Sequence, residues 1–338
     1  MQFSKMTSTS IKPHLYWIDW MKAIGMYFII AGHIFLNGYE YIYVFSVPLF
    51  FLISGYLGHR EENAKVFWRK MFFNLILPCI LIAFILHAEH ILTQIRLHTF
   101  EWFSIPRHFF NCIIGNLGLE SVEGGIGICW FIYTLVICKV IQQFLSRNRV
   151  THIGVIVVCL TLAIWYNVSD LHLCNAWTNT TLAYPLYATG GGYKSVNLKR
   201  CNPKRWWLFL ALFGSIITVY LIGRFNGAPW MYDATYGKNI ILFFVGGIAG
   251  SSAVYIISYL FKDYKLSAIV TLSKGTIIIL GFHQLLIRAF DRLPAAFHSL
   301  IAEYVAALFI LLTFIPIIQL SEKYFPVLLG YRAGKHQL

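Results

Sequence analysis

Apolar residues run through this chain in blocks of about twenty, each long enough to cross the hydrocarbon core of a bilayer. Ten such blocks start near Tyr16, Tyr41, Met71, Gly127, Thr151, Ala176, Arg205, Asn239, Thr271 and Ser299, and the sixth, from Ala176 to Gly190, is short. The pattern predicts an all-α, polytopic membrane protein with about ten transmembrane helices. No break between blocks is long enough to fold alone. Residues 1–338 therefore read as one transmembrane domain, with polar tails at 1–15 and 321–338 and the longest hydrophilic excursion at 94–125. The first block follows a polar tail without a small-residue cleavage site, so it reads as a retained span.

Composition agrees. Of 338 residues 58% are hydrophobic and 12% charged, and a mean hydropathy of +0.65 leaves too little polar surface for a soluble globule. The lysines and arginines alternate between breaks. Lys65, Arg69, Lys70, Arg147, Arg149, Lys199, Arg200, Lys204, Lys262 and Lys265 fall in even-numbered breaks, and far fewer lie opposite. By the positive-inside rule both termini are expected in the cytoplasm, which requires an even number of spans. The net charge of +13 is then a product of topology and an anionic inner leaflet, and no nucleic-acid partner is needed to explain it. The seven cysteines are scattered without a CxxC pair, and His172 and Cys174 form an isolated HxC, so neither a disulfide framework nor a metal site is expected. Asn167-Val-Ser and Asn179-Thr-Thr match the glycosylation pattern, which is a permissive one.

The chemistry concentrates in the first block, where WIDWMKAIGMYFIIAGHIFL carries Asp19, Lys22 and His33 inside one span. Ionisable groups at such depth are expensive and mark function. On a straight helix Lys22 and His33 lie within about 20° of one another, and Asp19 within about 40° of His33. Along the axis Lys22 and His33 are about 16 Å apart and Asp19 and His33 about 21 Å, so neither reaches the histidine. A structural alternative is an Asp19–Lys22 pair at one interface with His33 snorkelling at the other.

Asn37-Gly38-Tyr39-Glu40 joins this span to the next, VFSVPLFFLISGYL, in which Pro48 removes a helical hydrogen bond and Ser46, Ser54 and Gly55 allow polar contact or close approach. His59, Arg60, Lys65, Arg69 and Lys70 follow as a cationic cluster at the inner surface. Ordinary positive-inside anchoring and an anionic-ligand site both account for it. The 94–125 excursion, with Glu101, Arg107, His108, Glu120 and Glu123, faces outside, either as a ligand-gripping loop or as an amphipathic helix resting its aromatics on the membrane.

These residues resemble the integral-membrane acyltransferase 3 family, in particular its fucose-acetylase-like, polysaccharide O-acetyltransferase branch. Asp19-Trp20-Met21-Lys22-Ala23 stands where the family has D-x-L-R-G, and His33 falls fourteen residues after Asp19. Pro48 to Leu57 is similar to its PLFFFISGYL segment, Phe67 to Lys70 to its basic segment, Cys129 to Leu135 to its WFL motif, and Leu280-Gly281-Phe282-His283 to its late histidine motif. Lys22 replaces the commoner arginine and Ala23 the glycine, so a point charge stands in for a bidentate fork.

The resemblance implies transfer of an acyl group, most often acetyl, from cytoplasmic acyl-coenzyme A to a hydroxyl of an extracytoplasmic or lipid-linked sugar, with no bound cofactor, in a bacterial inner membrane. Lys22, Arg60, Arg69 and Lys70 become donor-binding candidates. His33 becomes the general base and His283 a second catalytic candidate, as orienting group, oxyanion donor or structural partner. Acylation of His33 itself is an alternative route. Asp19 and Glu40 are supporting carboxylates, with Glu40, Glu120 and Glu123 as candidate partners of His33, and Ser54, Tyr56 and Trp130 are pocket-wall candidates. The rival from another class is a secondary transporter or flippase, which also needs charges in spans and broken helices.

Overall fold

The computed structural model describes residues 14–34, 38–103, 105–106, 128–169, 175–195, 204–292 and 299–330. Among the described residues it is all-helical, and the only β pairing is an isolated bridge between Trp230 and Thr235. Both tails beyond these limits and residues 107–127, which hold Arg107, His108, Glu120 and Glu123, lie outside the described residues, as do His172 and Cys174.

Helix α1 is Tyr16–Ile34, the short α2 is Tyr39–Tyr43 and α3 is Ser46–Leu57. Helices α4 (Ala64–Met71) and α5 (Leu77–Arg96) run on through a π-turn at Phe72–Ile76, which sits just before Pro78 and absorbs the hydrogen bond that proline cannot make. Then come α6 (Ile128–Val140) with a second π-turn at Ile141–Leu145, α7 (Arg149–Ser169), α8 (Asn175–Ser195) and α9 (Arg205–Asn226). Finally α10 is Ile240–Leu260, α11 Ser267–Lys274, α12 Thr276–Phe290 and α13 Leu300–Tyr324.

Among the described residues six helical stretches are long and apolar enough to cross a membrane: Tyr39–Leu57, Ala64–Arg96, Arg149–Ser169, Arg205–Asn226, Ile240–Leu260 and Ile301–Tyr324. The pair α11 and α12 makes a seventh if taken together, but it bends by 86° at Gly275, so the ninth apolar block is not the straight span that its hydropathy predicts. Helix α1 and helix α8 are too polar, and the α6 stretch too short, to qualify on length and composition. Their placement explains the polarity. In α1 no side chain is exposed except that of His33, and Thr178 to Ala188 of α8 are all buried, so these helices meet protein rather than lipid. The lipid-like periphery belongs to α7, α9 and α13, whose outward faces carry Val157, Val158, Phe209, Phe213, Leu308 and Phe309.

Helix α3 is the hub, mostly apolar around its circumference and buried over most of its length. Glycines let its neighbours close on it. A Cβ at Gly55 would stand 1.8 Å from the Tyr187 carbonyl oxygen, and one at Gly190 would stand 2.0 Å from that of Leu52, so α3 and α8 touch backbone to backbone. Gly246, Gly247 and Gly250 bring α10 against Val44, Pro48 and Phe45, and Gly25 seats α1 against Leu49 and Phe50. The break expected at Pro48 falls slightly earlier. Val44 and Phe45 separate α2 from α3, which places Pro48 in the first turn of α3, where its missing N–H costs nothing.

Candidate functional site

The site is built where α1, α2 and α12 meet. Met26, Ile29 and Ile30 of α1 are buried with Ile278 and Ile279 of α12 and with Ile310 and Phe314 of α13, and this apolar contact fixes the register of the two histidines above it. His33 and His283 lie edge to face, ring centroids 4.9 Å apart and planes at 73°. Each ring is anchored to its own helix. The Nδ1 of His33 is 2.7 Å from the Ile29 carbonyl oxygen, and that of His283 is 3.0 Å from the Ile279 and 2.9 Å from the Leu280 carbonyl oxygen. A carbonyl can only accept, so Nδ1 carries the proton in both rings and each Nε2 presents a lone pair. The Nε2 of His283 is buried without a hydrogen-bond partner, and that of His33 has none among the described residues. A backbone carbonyl thus does the tautomer-setting that a carboxylate does in many soluble sites. Glu40, half-buried on α2, makes no hydrogen bond or ion pair among the described residues. Helix α12 begins at Thr276, after the bend, and puts His283 about 10.5 Å along it.

Towards the other end of α1 the polar residues separate. The carboxylate of Asp19 is taken by His14, whose Nε2 is 2.5 Å from Oδ2, and not by Lys22. Lys22 is half-buried and has no hydrogen bond or ion pair among the described residues. An unpaired ammonium among helices retains its attraction for an anionic guest.

The cationic cluster is a worked network. Gln143 in the second π-turn pairs with the backbone of Glu61, accepting from its N–H at 3.0 Å through Oε1 and donating to its carbonyl at 2.8 Å through Nε2. Arg60 donates to the carbonyls of Gln143 at 2.9 Å and Arg147 at 3.1 Å. Glu61 holds Lys70 at 2.6 Å and His59 at 2.8 Å. The Lys70 ammonium hydrogen-bonded to it keeps the Glu61 carboxyl below its ordinary range, with His59 adding to the effect. Arg60 and Lys70 therefore brace the loop between α3 and α4 against α6, while Arg69 points outward, exposed and unpaired among the described residues. Sequence reasoning passed over Lys139, which stands half-buried in α6 with its ammonium 5.8 Å from the centre of the Tyr187 ring. Its signal was a lone charge in an otherwise apolar helix.

The wall residues part company as well. Tyr56 lines a cleft of about 140 Å³ between α1, α3, α8 and α10, together with Trp17, Met21, Ser251 and Tyr255. Trp17 lies edge to face against both Tyr56 and Tyr255, at 5.1 and 5.3 Å. Trp130 is buried beside Phe131, and its carbonyl accepts from Thr134 Oγ1 at 2.8 Å, so it belongs to the α6–α8 core. Ser54 is half-buried one position before the Gly55 crossing. Asn179 is buried, donating to the Met231 carbonyl and accepting from Tyr236, which leaves its amide no room for a glycan.

A protein-family model described as an acyltransferase domain matches residues 15–320. No curated protein and no solved structure matches the chain.

Proposed function

The chain belongs to that acyltransferase family, and from this premise we propose that it carries an acyl group, acetyl in the simplest case, from cytoplasmic acyl-coenzyme A to a sugar hydroxyl across the membrane. The observation that carries the reading is the histidine pair with both Nε2 lone pairs free at one end of α1. In this reading His33 Nε2 takes the proton of the acceptor hydroxyl as its oxygen attacks the thioester carbonyl. The C–O bond forms, the C–S bond breaks, and the proton passes from His33 to the departing thiolate. His283, buried and directly against His33, packs edge to face on it and holds the first ring in place. It acts as a positioning residue.

Donor phosphates are met at the opposite end. Arg69 and Lys22, which make no ion pair among the described residues, would meet them there, and the bracing by Arg60 and Lys70 keeps the basic helix α4 in position. In this reading both termini lie in the cytoplasm, as the distribution of lysines and arginines supports, and the membrane is a bacterial inner membrane. Neutralising Arg69 and Lys22 together is expected to raise KM for acetyl-coenzyme A with a smaller effect on saturated turnover. An unchanged donor KM would return the cluster to plain membrane anchoring.

The test of the activity is transfer of labelled acetyl from acetyl-coenzyme A to glycan in membranes bearing the protein. Glycan flux without acyl transfer would favour a transporter instead.

A further inference from the structure

Beside His33 the structure assembles three aromatic rings from two distant segments. Tyr43 lies 5.8 Å from the His33 ring, centroid to centroid. Trp230 lies 5.1 Å from Tyr43 and 5.3 Å from Tyr39, and the two tyrosines are 5.6 Å apart. The mutual angles of 72°, 47° and 56° are edge-on or tilted, so no two of the rings stack face to face. Trp230 is 44% exposed, yet its backbone is fixed. Its N–H donates to Thr235 at 2.9 Å and its carbonyl accepts from Thr235 at 3.0 Å. The loop carrying it is tied to α8 by Asn179, which donates to Met231 and accepts from Tyr236, and to the end of α9 by Asn226, which donates to the Tyr236 carbonyl at 2.8 Å.

A large aromatic side chain is thus held rigidly beside His33 with part of its surface open. The polar handles of the cluster, two phenol hydroxyls and the indole N–H, have no hydrogen-bond partner among the described residues. We infer that Tyr39, Tyr43 and Trp230 form the acceptor platform, on which a pyranose ring stacks with one of its hydroxyls directed at His33. The negative faces of aromatic rings attract the polarised C–H bonds of a sugar ring, while its hydroxyls require donors and acceptors at the edge. A hydrocarbon chain would use the faces and leave the three polar groups unmet. The inference rests on the acyltransferase reading and adds to it the residues that select the acceptor.

The experiment uses the full chain in proteoliposomes, with methyl pyranosides of several configurations as acceptors and labelled acetyl-coenzyme A as donor. Trp230→Ala is expected to raise acceptor KM by about tenfold or more while leaving donor KM unchanged. Trp230→Phe keeps an aromatic face and should restore most of the acceptor affinity. A second readout is independent of turnover: pyranoside addition should change the tryptophan fluorescence of the wild type, and that change should vanish in Trp230→Phe, which also serves if the alanine variant does not accumulate. An acceptor KM unaltered in Trp230→Ala, or a fluorescence response equal in Trp230→Phe and wild type, overturns the platform and makes these rings an interfacial anchor. Sugar binding through Trp230 without any acyl transfer would instead overturn the acyltransferase reading and leave the platform standing.

Discussion

A histidine that keeps its own proton on Nδ1 is ready to take another on Nε2, and at His33 a carbonyl one turn back enforces that state. Replacing His33 by alanine should lower turnover by about 10²- to 10⁴-fold, the usual range for losing a general base, with protein levels unchanged. His283→Ala should cost less, since it removes support rather than the base. A drop as deep as that of His33→Ala would give the second ring a direct part in the chemistry. Glu61 supplies a pH prediction. Because its folded carboxyl lies below the ordinary range, its pairing with Lys70 contributes stability above the unfolded carboxyl pKa and loses it as pH falls through the lower folded value. The thermal midpoint of the wild type should therefore exceed that of Glu61→Gln at neutral pH, and the two should converge under acid. At this scale His33, Lys22 and His283 were legible as ionisable groups in apolar blocks. The partner of His33 was not, because a search for carboxylates overlooks the i−4 carbonyl, and no periodicity links Trp230 to a histidine so far away in sequence.

At the scale of elements, the α3–α8 crossing and the bend at Gly275 bear on the site most directly. Both depend on glycine, but differently. A methyl at Gly55 meets a main-chain carbonyl at 1.8 Å, whereas one at Gly275 meets the side chain of Ile318 at 2.1 Å. Backbone cannot step aside without parting the helices; a side chain can rotate. Gly55→Ala should accordingly lower the thermal midpoint in detergent more than Gly275→Ala, and Ile318→Val should partly restore the latter, with overpacking costs of about 1–3 kcal/mol as the scale. Equal losses, or no rescue, would contradict the contact geometry. The helices were legible from their apolar runs. The bend was not, since hydropathy averages over Gly275 and says nothing of Ile318 of α13, which packs against it. Likewise Pro48 signalled a break correctly, and packing against α10 set it at Val44 and Phe45.

Across the whole molecule, polarity is sorted from the centre outward. The apolar helices α7, α9 and α13 face the lipid, while α1, which carries the ionisable stripe, and the polar α8 are enclosed. Ten apolar blocks were readable, but among the described residues six helices, or seven with the bent pair, have the length and composition to span on their own. The discrepancy has a physical source, because a helix that meets only other helices need not be apolar enough for lipid. The proposed reaction requires the two ends of α1 to serve opposite sides of the membrane, the cations below and the histidines above. Acetyl transfer across sealed vesicles tests this most directly, with labelled acetyl-coenzyme A confined to the cytoplasmic side and glycan to the other. Wild type should label the glycan and His33→Ala, present at equal amount, should not. Labelling that persists in His33→Ala, or that requires donor and glycan on the same side, would contradict the account.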